Sequence, residues 1–167
     1  GQVEVVVNPL LCMGWGVCTA SCGSGANQLA GFTDQELAAQ LEAMVREGDI
    51  VCFLCRWSAY NAADKAGYDG LSYPENTRII EVPCTGRVDP QMVLNAFSRG
   101  AKGVLVAGCY PDACHYVSGN LKAKRRTTLA DMLIDQLGVE PQRLRIEWIG
   151  VQESQKFCTV LNELDRM

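Results

Sequence analysis

Beyond Gly48 the chain alternates short apolar runs with segments of helical spacing. Asp49–Leu54 (DIVCFL), Arg78–Pro83 (RIIEVP), Lys102–Gly108 (KGVLVAG) and Leu144–Val151 (LRIEWIGV) read as β-strands. A helix is predicted over about Ser58–Tyr68, and the turn Tyr73-Pro74-Glu75-Asn76 ends that connection. The next helix opens at Asp89-Pro90, an N-cap followed by proline at the first helical position, and stops near Arg99 with Gly100 placed to end it. A long helical stretch runs from about Tyr116 to Leu137, with a break near Gly119 and Gly138 at its close. Glu153–Arg166 forms the last helix. Four strands alternating with helices predict an α/β fold, a parallel sheet with helices on both faces. Right-handed crossovers make a flavodoxin-like strand order the natural expectation.

Residues 1–47 have a different character. A strand-like Gln2–Val7 leads into a loop rich in glycine and cysteine, Cys12 to Cys22, and Thr33-Asp-Gln-Glu36 is a capping box opening a helix to about Arg46. The expected organisation is therefore a small partial ferredoxin-like segment over 1–47, joined to an α/β domain over 48–167. The chain opens at Gly1 without methionine, either as a processed chain or as a piece of a longer one.

Composition narrows the function. A formal net charge of −4 gives no general attraction to nucleic acid or anionic membrane. The local run Lys122-Ala-Lys-Arg-Arg126 is the exception; it reads as a solvated helix face ahead of a docking patch for an acidic partner. No apolar stretch reaches membrane-spanning length. Nine cysteines are far more than packing requires. Without a secretory signal, and with an odd total lying in or beside apolar strands, they favour a cytoplasmic setting and metal ligation over disulfides.

Four of these cysteines stand at strand ends: Cys55, Cys84, Cys109 and Cys114. In an open parallel sheet the carboxyl ends of neighbouring strands face one crevice, so the four are expected to form one site. Four thiolates satisfy either a [2Fe–2S] cluster or a zinc ion. Zinc sites usually come as two close cysteine pairs, whereas Cys55 and Cys84 each stand alone, which tilts the reading toward iron–sulfur. Cys52 and Cys158 read as core. Cys52 with Cys55 also makes a C-x2-C pair, but inside a strand rather than at a helix N-terminus, so a thiol–disulfide enzyme ranks last. The sole histidine, His115, follows Cys114 and serves either beside a cluster or as a bland surface or capping residue. No paired-carboxylate or Ser/His/Asp arrangement supports bond-making catalysis, and no G-x-G-x-x-G supports nucleotide binding.

The loop Cys12-Met-Gly-Trp15-Gly-Val-Cys18-Thr-Ala-Ser-Cys22 is nearly the ferredoxin run C-x2-C-x2-C-x3-C. Trp15 occupies the second cysteine position, and Gly23 stands where proline usually follows. Cys12, Cys18 and Cys22 thus belong to a full [4Fe–4S] site, to a site completed from elsewhere, or to a decayed one.

Cys55-Arg-Trp57, Cys84-Thr-Gly-Arg-Val-Asp-Pro90, Val106-Ala-Gly-Cys109-Tyr-Pro-Asp-Ala-Cys114-His-Tyr116, Ser118-Gly-Asn120 and Arg125-Arg126 together resemble the delta subunit of methyl-viologen-reducing hydrogenase, over about residues 49–167. That resemblance implies a [2Fe–2S] cluster on Cys55, Cys84, Cys109 and Cys114. It also implies electron relay between a hydrogenase or formate dehydrogenase and heterodisulfide reductase. The family typically carries a further cysteine where this chain has Ser58. Residues 1–47, including Gly31-Phe-Thr-Asp34, resemble the C-terminal ferredoxin segment of the A subunit of heterodisulfide reductase. The same resemblance places FAD in a partner protein and makes this chain a non-catalytic member of an oxidoreductase complex. The competing expectation is a zinc-stabilised docking module without redox role.

Overall fold

The structure, a computed structural model, describes residues 6–167. The expected strand Gln2–Val7 lies outside the described residues except for Val6 and Val7, which are exposed and in no strand. Four strands, β1 (Ile50–Cys55), β2 (Thr77–Val82), β3 (Gly103–Gly108) and β4 (Leu144–Trp148), form one all-parallel sheet in the order β2-β1-β3-β4. This is the beginning of the flavodoxin order. Six helices accompany it: α1 (Val17–Ala20), α2 (Asp34–Met44), α3 (Ala59–Tyr68), α4 (Pro90–Ser98), α5 (Gly119–Gln136) and α6 (Ser154–Asp165).

β1 is central and buried on both faces, so its side chains sort strictly by parity. Val51 and Phe53 join a core with Leu37 and Leu41 of α2, Met92 and Val93 of α4, and Ala130 and Ile134 of α5. Ile50, Cys52 and Leu54 face the opposite core, with Ala62 and Ala66 of α3 and Phe157 and Leu161 of α6. Every residue of β1 is at most 2 % exposed, and trimming a leucine such as Leu54 to alanine costs about 2–5 kcal/mol at such a site. Cys52 and Cys158 are core residues, as their patterns predict.

The chain leaves β1 toward β2 through α3, then reverses through α4 to reach β3 on the other side of β1. That reversal moves the covering helix from one face to the other, as right-handed crossovers require. It also opens a crevice between the carboxyl ends of β1 and β3, the switch point where open α/β sheets receive ligands.

Local signals act where the sequence puts them. Thr33 Oγ1 accepts from the Glu36 amide at 3.1 Å while Glu36 Oε2 accepts from the Thr33 amide at 2.8 Å, a complete capping box. Asp89 Oδ1 caps α4 through the Met92 amide at 3.0 Å. The long helix begins at Gly119 rather than Tyr116. Residues 114–118 instead form a turn in which Val117, 81 % exposed, takes a left-handed conformation with φ 69°. The basic run is only partly a solvated face: Lys124 and Arg125 are exposed, but Arg126 turns inward and donates to Gly86 O and Ser21 Oγ. No helix among the described residues is long and apolar enough to cross a membrane.

Candidate metal centre

Cys55 ends β1, Cys84 follows β2, Cys109 follows β3, and Cys114 returns after a 3-10 turn at Pro111–Ala113. Their side chains gather at the carboxyl edge of the sheet. Cys55 Sγ lies 4.0 Å from Cys109 Sγ, close to the roughly 3.8 Å that separates two thiolates on one tetrahedral metal with bonds of about 2.3 Å. The Cys84 thiol also lies near that of Cys55. Cys84 and Cys114 then meet at the first residue of α5. A β-carbon on Gly119 would fall within 3.0 Å of Cys84 Sγ and 3.7 Å from Cys114 Sγ. Only glycine leaves room for both sulfurs there. Cys55, Cys84 and Cys109 are at most 6 % exposed and Cys114 is half-buried; none is in a disulfide. Among the described residues, no three histidine, cysteine, aspartate or glutamate side chains close around a single point as one ion would require.

Thiols packed this tightly resist ionisation. At Cys55 the hydrogen bond with Cys109 favours the thiolate, but Cys84 and burial outweigh it and push the thiol up. Cys109 is pushed up strongly by its neighbour Cys55 and by burial, against partial relief from Ser58 and the His115 amide. A cation removes this penalty by taking the protons' place, since metal ligands bind deprotonated.

The surroundings suit an anionic sulfur group. Ser58, which precedes α3, is 4 % exposed; its hydroxyl lies near the Cys109 thiol but makes no hydrogen bond of good geometry among the described residues. An orphaned donor beside Cys109 is costly unless an acceptor such as a thiolate meets it. The Gly86 amide donates to Cys84 Sγ at 3.4 Å. The N-cap residues of α3 and α5, Ser58 and Ser118, make no side-chain cap; in α5 Asn120 Oδ1 accepts from the Leu121 amide at 2.8 Å, and the dipoles of both helix starts favour negative charge nearby.

Asn120 holds the Cys109–Cys114 loop in shape. It is fully buried, and its Nδ2 donates to Cys109 O at 3.0 Å and Tyr110 O at 2.8 Å. Aromatic rings cover the outer side. His115 stacks on Trp57 with centroids 3.7 Å apart at 11°, and Trp57 Nε1 donates to Tyr116 Oη at 3.2 Å. His115 is thus a stacking partner of an exposed tryptophan.

The N-terminal loop shows no such convergence. Cys12 and Cys18 are exposed, and Cys22 Sγ instead contacts Ser24 Oγ at 3.3 Å and accepts from the Asn27 amide at 3.5 Å. Those contacts lower the Cys22 thiol to about 7. Residues 6–33 contain one short helix, α1, which does not by itself make a ferredoxin fold.

The chain is 47 % identical over 119 residues to the D-type iron-sulfur subunit of F420-non-reducing hydrogenase from Archaeoglobus profundus, covering 71 % of this chain and 87 % of that one. It is 43 % identical over 118 residues to the D-type iron-sulfur subunit of the vhc F420-non-reducing hydrogenase from Methanococcus voltae, covering 82 % of that protein. It is also 39 % identical over 142 residues to the A-type subunit of ferredoxin:CoB-CoM heterodisulfide reductase from Methanosarcina mazei. There the match covers 83 % of this chain but only 18 % of that much longer protein. This last likeness must extend about 20 residues ahead of residue 50. Residues 50–167 match the family model described as methyl-viologen-reducing hydrogenase, delta subunit. The chain belongs to that family.

Proposed function

We propose that this chain is an electron-transfer subunit whose Cys55, Cys84, Cys109 and Cys114 hold a [2Fe–2S] cluster, passing electrons between a hydrogenase and a heterodisulfide-reductase-like assembly. The observation that carries the proposal is the gathering of four thiols at the β1/β3 switch point, Cys55 beside Cys109 and Cys84 and Cys114 both against Gly119. A two-iron cluster takes two thiolates at each end, whereas one zinc gathers four about a point. Cys55 beside Cys109, and Cys84 and Cys114 about Gly119, give two pairs that suit the cluster better. The names of the relatives support iron–sulfur chemistry and the hydrogenase and heterodisulfide reductase partners. Formate dehydrogenase, expected from the resemblance, has no support in those names.

When bound, the cluster supplies one-electron redox chemistry; the protein supplies position and electrostatics. Asn120 fixes the loop that presents Cys109 and Cys114. Ser58 and the Gly86 amide offer hydrogen bonds to thiolates, which offsets part of the cost that burial imposes on their charge. Burial of Cys55 and Cys84 keeps water from their sulfurs. Cys12, Cys18 and Cys22 have no part in this centre.

Anaerobically purified protein is expected to absorb in the visible, to bleach on reduction and then to give an electron paramagnetic resonance signal. A colourless protein with one zinc per chain would establish the docking module instead.

A further inference from the structure

In the ferredoxin-like run a tryptophan stands where a cluster ligand belongs, and the fold gives it another place. Trp15 packs its ring against the start of α5: its Cε3 lies 3.5 Å from the β-carbon position of Gly119, the same position that Cys84 and Cys114 flank. The ring is also 5.8 Å, centroid to centroid, from that of Tyr116, which is itself buried. Two thiols and one indole thus converge on a single glycine.

We infer that Trp15, carried by the degenerate cysteine loop, is the lid of the strand-end centre and keeps water from the Cys84 thiolate. The inference rests on the reading of that centre as a metal site.

The loop is fastened for this role against the residues that follow Cys84. Val17 Cγ2 sits 2.6 Å from where a β-carbon on Gly86 would be, so the backbone two residues after Cys84 is in direct contact with the loop. Arg126 bridges the two segments, donating to Gly86 O on one side and to Ser21 Oγ (2.6 Å) and Val17 O (3.5 Å) on the other. Arg87 is completely buried; its Nε donates to Phe32 O at 2.9 Å and its guanidinium pairs with Asp34. These ties bind residues 17–34 to the residues just after Cys84, and Trp15 is the large apolar side chain they hold in place. The same docking leaves Cys12 and Cys18 exposed. The bulk of Trp15 thus fills the space beside Gly119, next to Cys84 and Cys114.

A water-excluding lid is a positioning role, and it can be read without the metal. The full-length chain is prepared as wild type, Trp15→Ala and Trp15→Phe, in metal-free and iron-loaded forms. Alkylation by iodoacetamide is followed site by site by mass spectrometry, with Cys52 as the reporter of general unfolding. In the metal-free chain, Trp15→Ala is expected to raise the labelling rate of Cys84 about tenfold by local opening. Trp15→Phe should return most of the protection, and Cys52 should stay unreactive in all three. In the iron-loaded chain, Trp15→Ala should lose colour to a chelator faster than wild type by a similar factor. Unchanged Cys84 labelling in Trp15→Ala overturns the lid, and so does a rise that Cys52 follows in step. A wild-type chain that takes up no iron overturns the metal reading instead, while the labelling arm still decides whether Trp15 covers Cys84.

Discussion

Adding a single carbon at residue 119 separates the site from the fold. In Gly119→Ala the new β-carbon would come within 3.0 Å of Cys84 Sγ, against about 3.5–4.0 Å for an ordinary non-bonded contact. The sulfur must therefore recede by at least about 0.5 Å. Metal–ligand distances hold to within about 0.2 Å, so a displaced Cys84 cannot remain a ligand in the same geometry. The cost to the fold is smaller. Overpacking is worth about 1–3 kcal/mol, and alanine's better helix propensity returns up to about 1 kcal/mol. At about 2–4 °C per kcal/mol for a chain of this size, the melting temperature should fall by less than about 10 °C. The assay measures iron and sulfide per chain after anaerobic reconstitution, beside a circular-dichroism melt. Gly67→Ala in α3, where a β-carbon meets nothing within 4 Å, should keep its iron and serves as the control. A folded Gly119→Ala protein with wild-type iron would refute the placement of Cys84 in the centre.

Asn120→Ala leaves Cys109 O and Tyr110 O without their donor and should cost about 1–3 kcal/mol, measured by urea unfolding, with faster loss of iron to a chelator. Val117→Gly should stabilise the protein by about 1 kcal/mol, because relief of a left-handed β-branched residue outweighs the entropy of glycine and the exposed side chain packs on little; a lower melting temperature would show that the conformation is not strained. The Glu36 carboxyl lies below its ordinary range because the Thr33 amide and hydroxyl hold its anion. Its contribution to α2 is thus complete above the unfolded value of about 4.3 and is lost as pH falls through the lower folded value. Nuclear magnetic resonance titration of Glu36 should show that depressed midpoint, and Thr33→Ala should return it toward normal.

Much of this architecture can be read from spacing alone. Four strands and their order follow from apolar runs and crossover handedness, and each strand predicted beyond Gly48 lies within three residues of its observed bounds. The cysteines' meeting place follows from the same logic, because strand ends in a parallel sheet share one edge. Features that depend on contacts distant in sequence could not be read locally. Nothing near Trp15 indicates that it reaches Gly119, over a hundred residues away. Arg126 sits in a run of cations that looks solvated, yet it binds the loop to the Cys84 segment. Arg87 is fully buried through partners fifty residues upstream. The delayed start of α5 is a case between: Gly119 marks the break in sequence, but the left-handed Val117 that turns the chain there carries no local signal, since valine disfavours that region.

The central claim is that four strand-end thiols make one iron–sulfur centre. The most direct measurement is iron and sulfide content across single cysteine-to-alanine variants, reconstituted anaerobically under one protocol. The wild-type chain should hold about two iron and two sulfide. Replacing Cys55, Cys84, Cys109 or Cys114 should abolish or destabilise that content, while replacing Cys52 or Cys158, both packed in the opposite core, should leave it unchanged. Full iron content in any of the first four variants, or its loss in the Cys52 variant alone, would contradict the account.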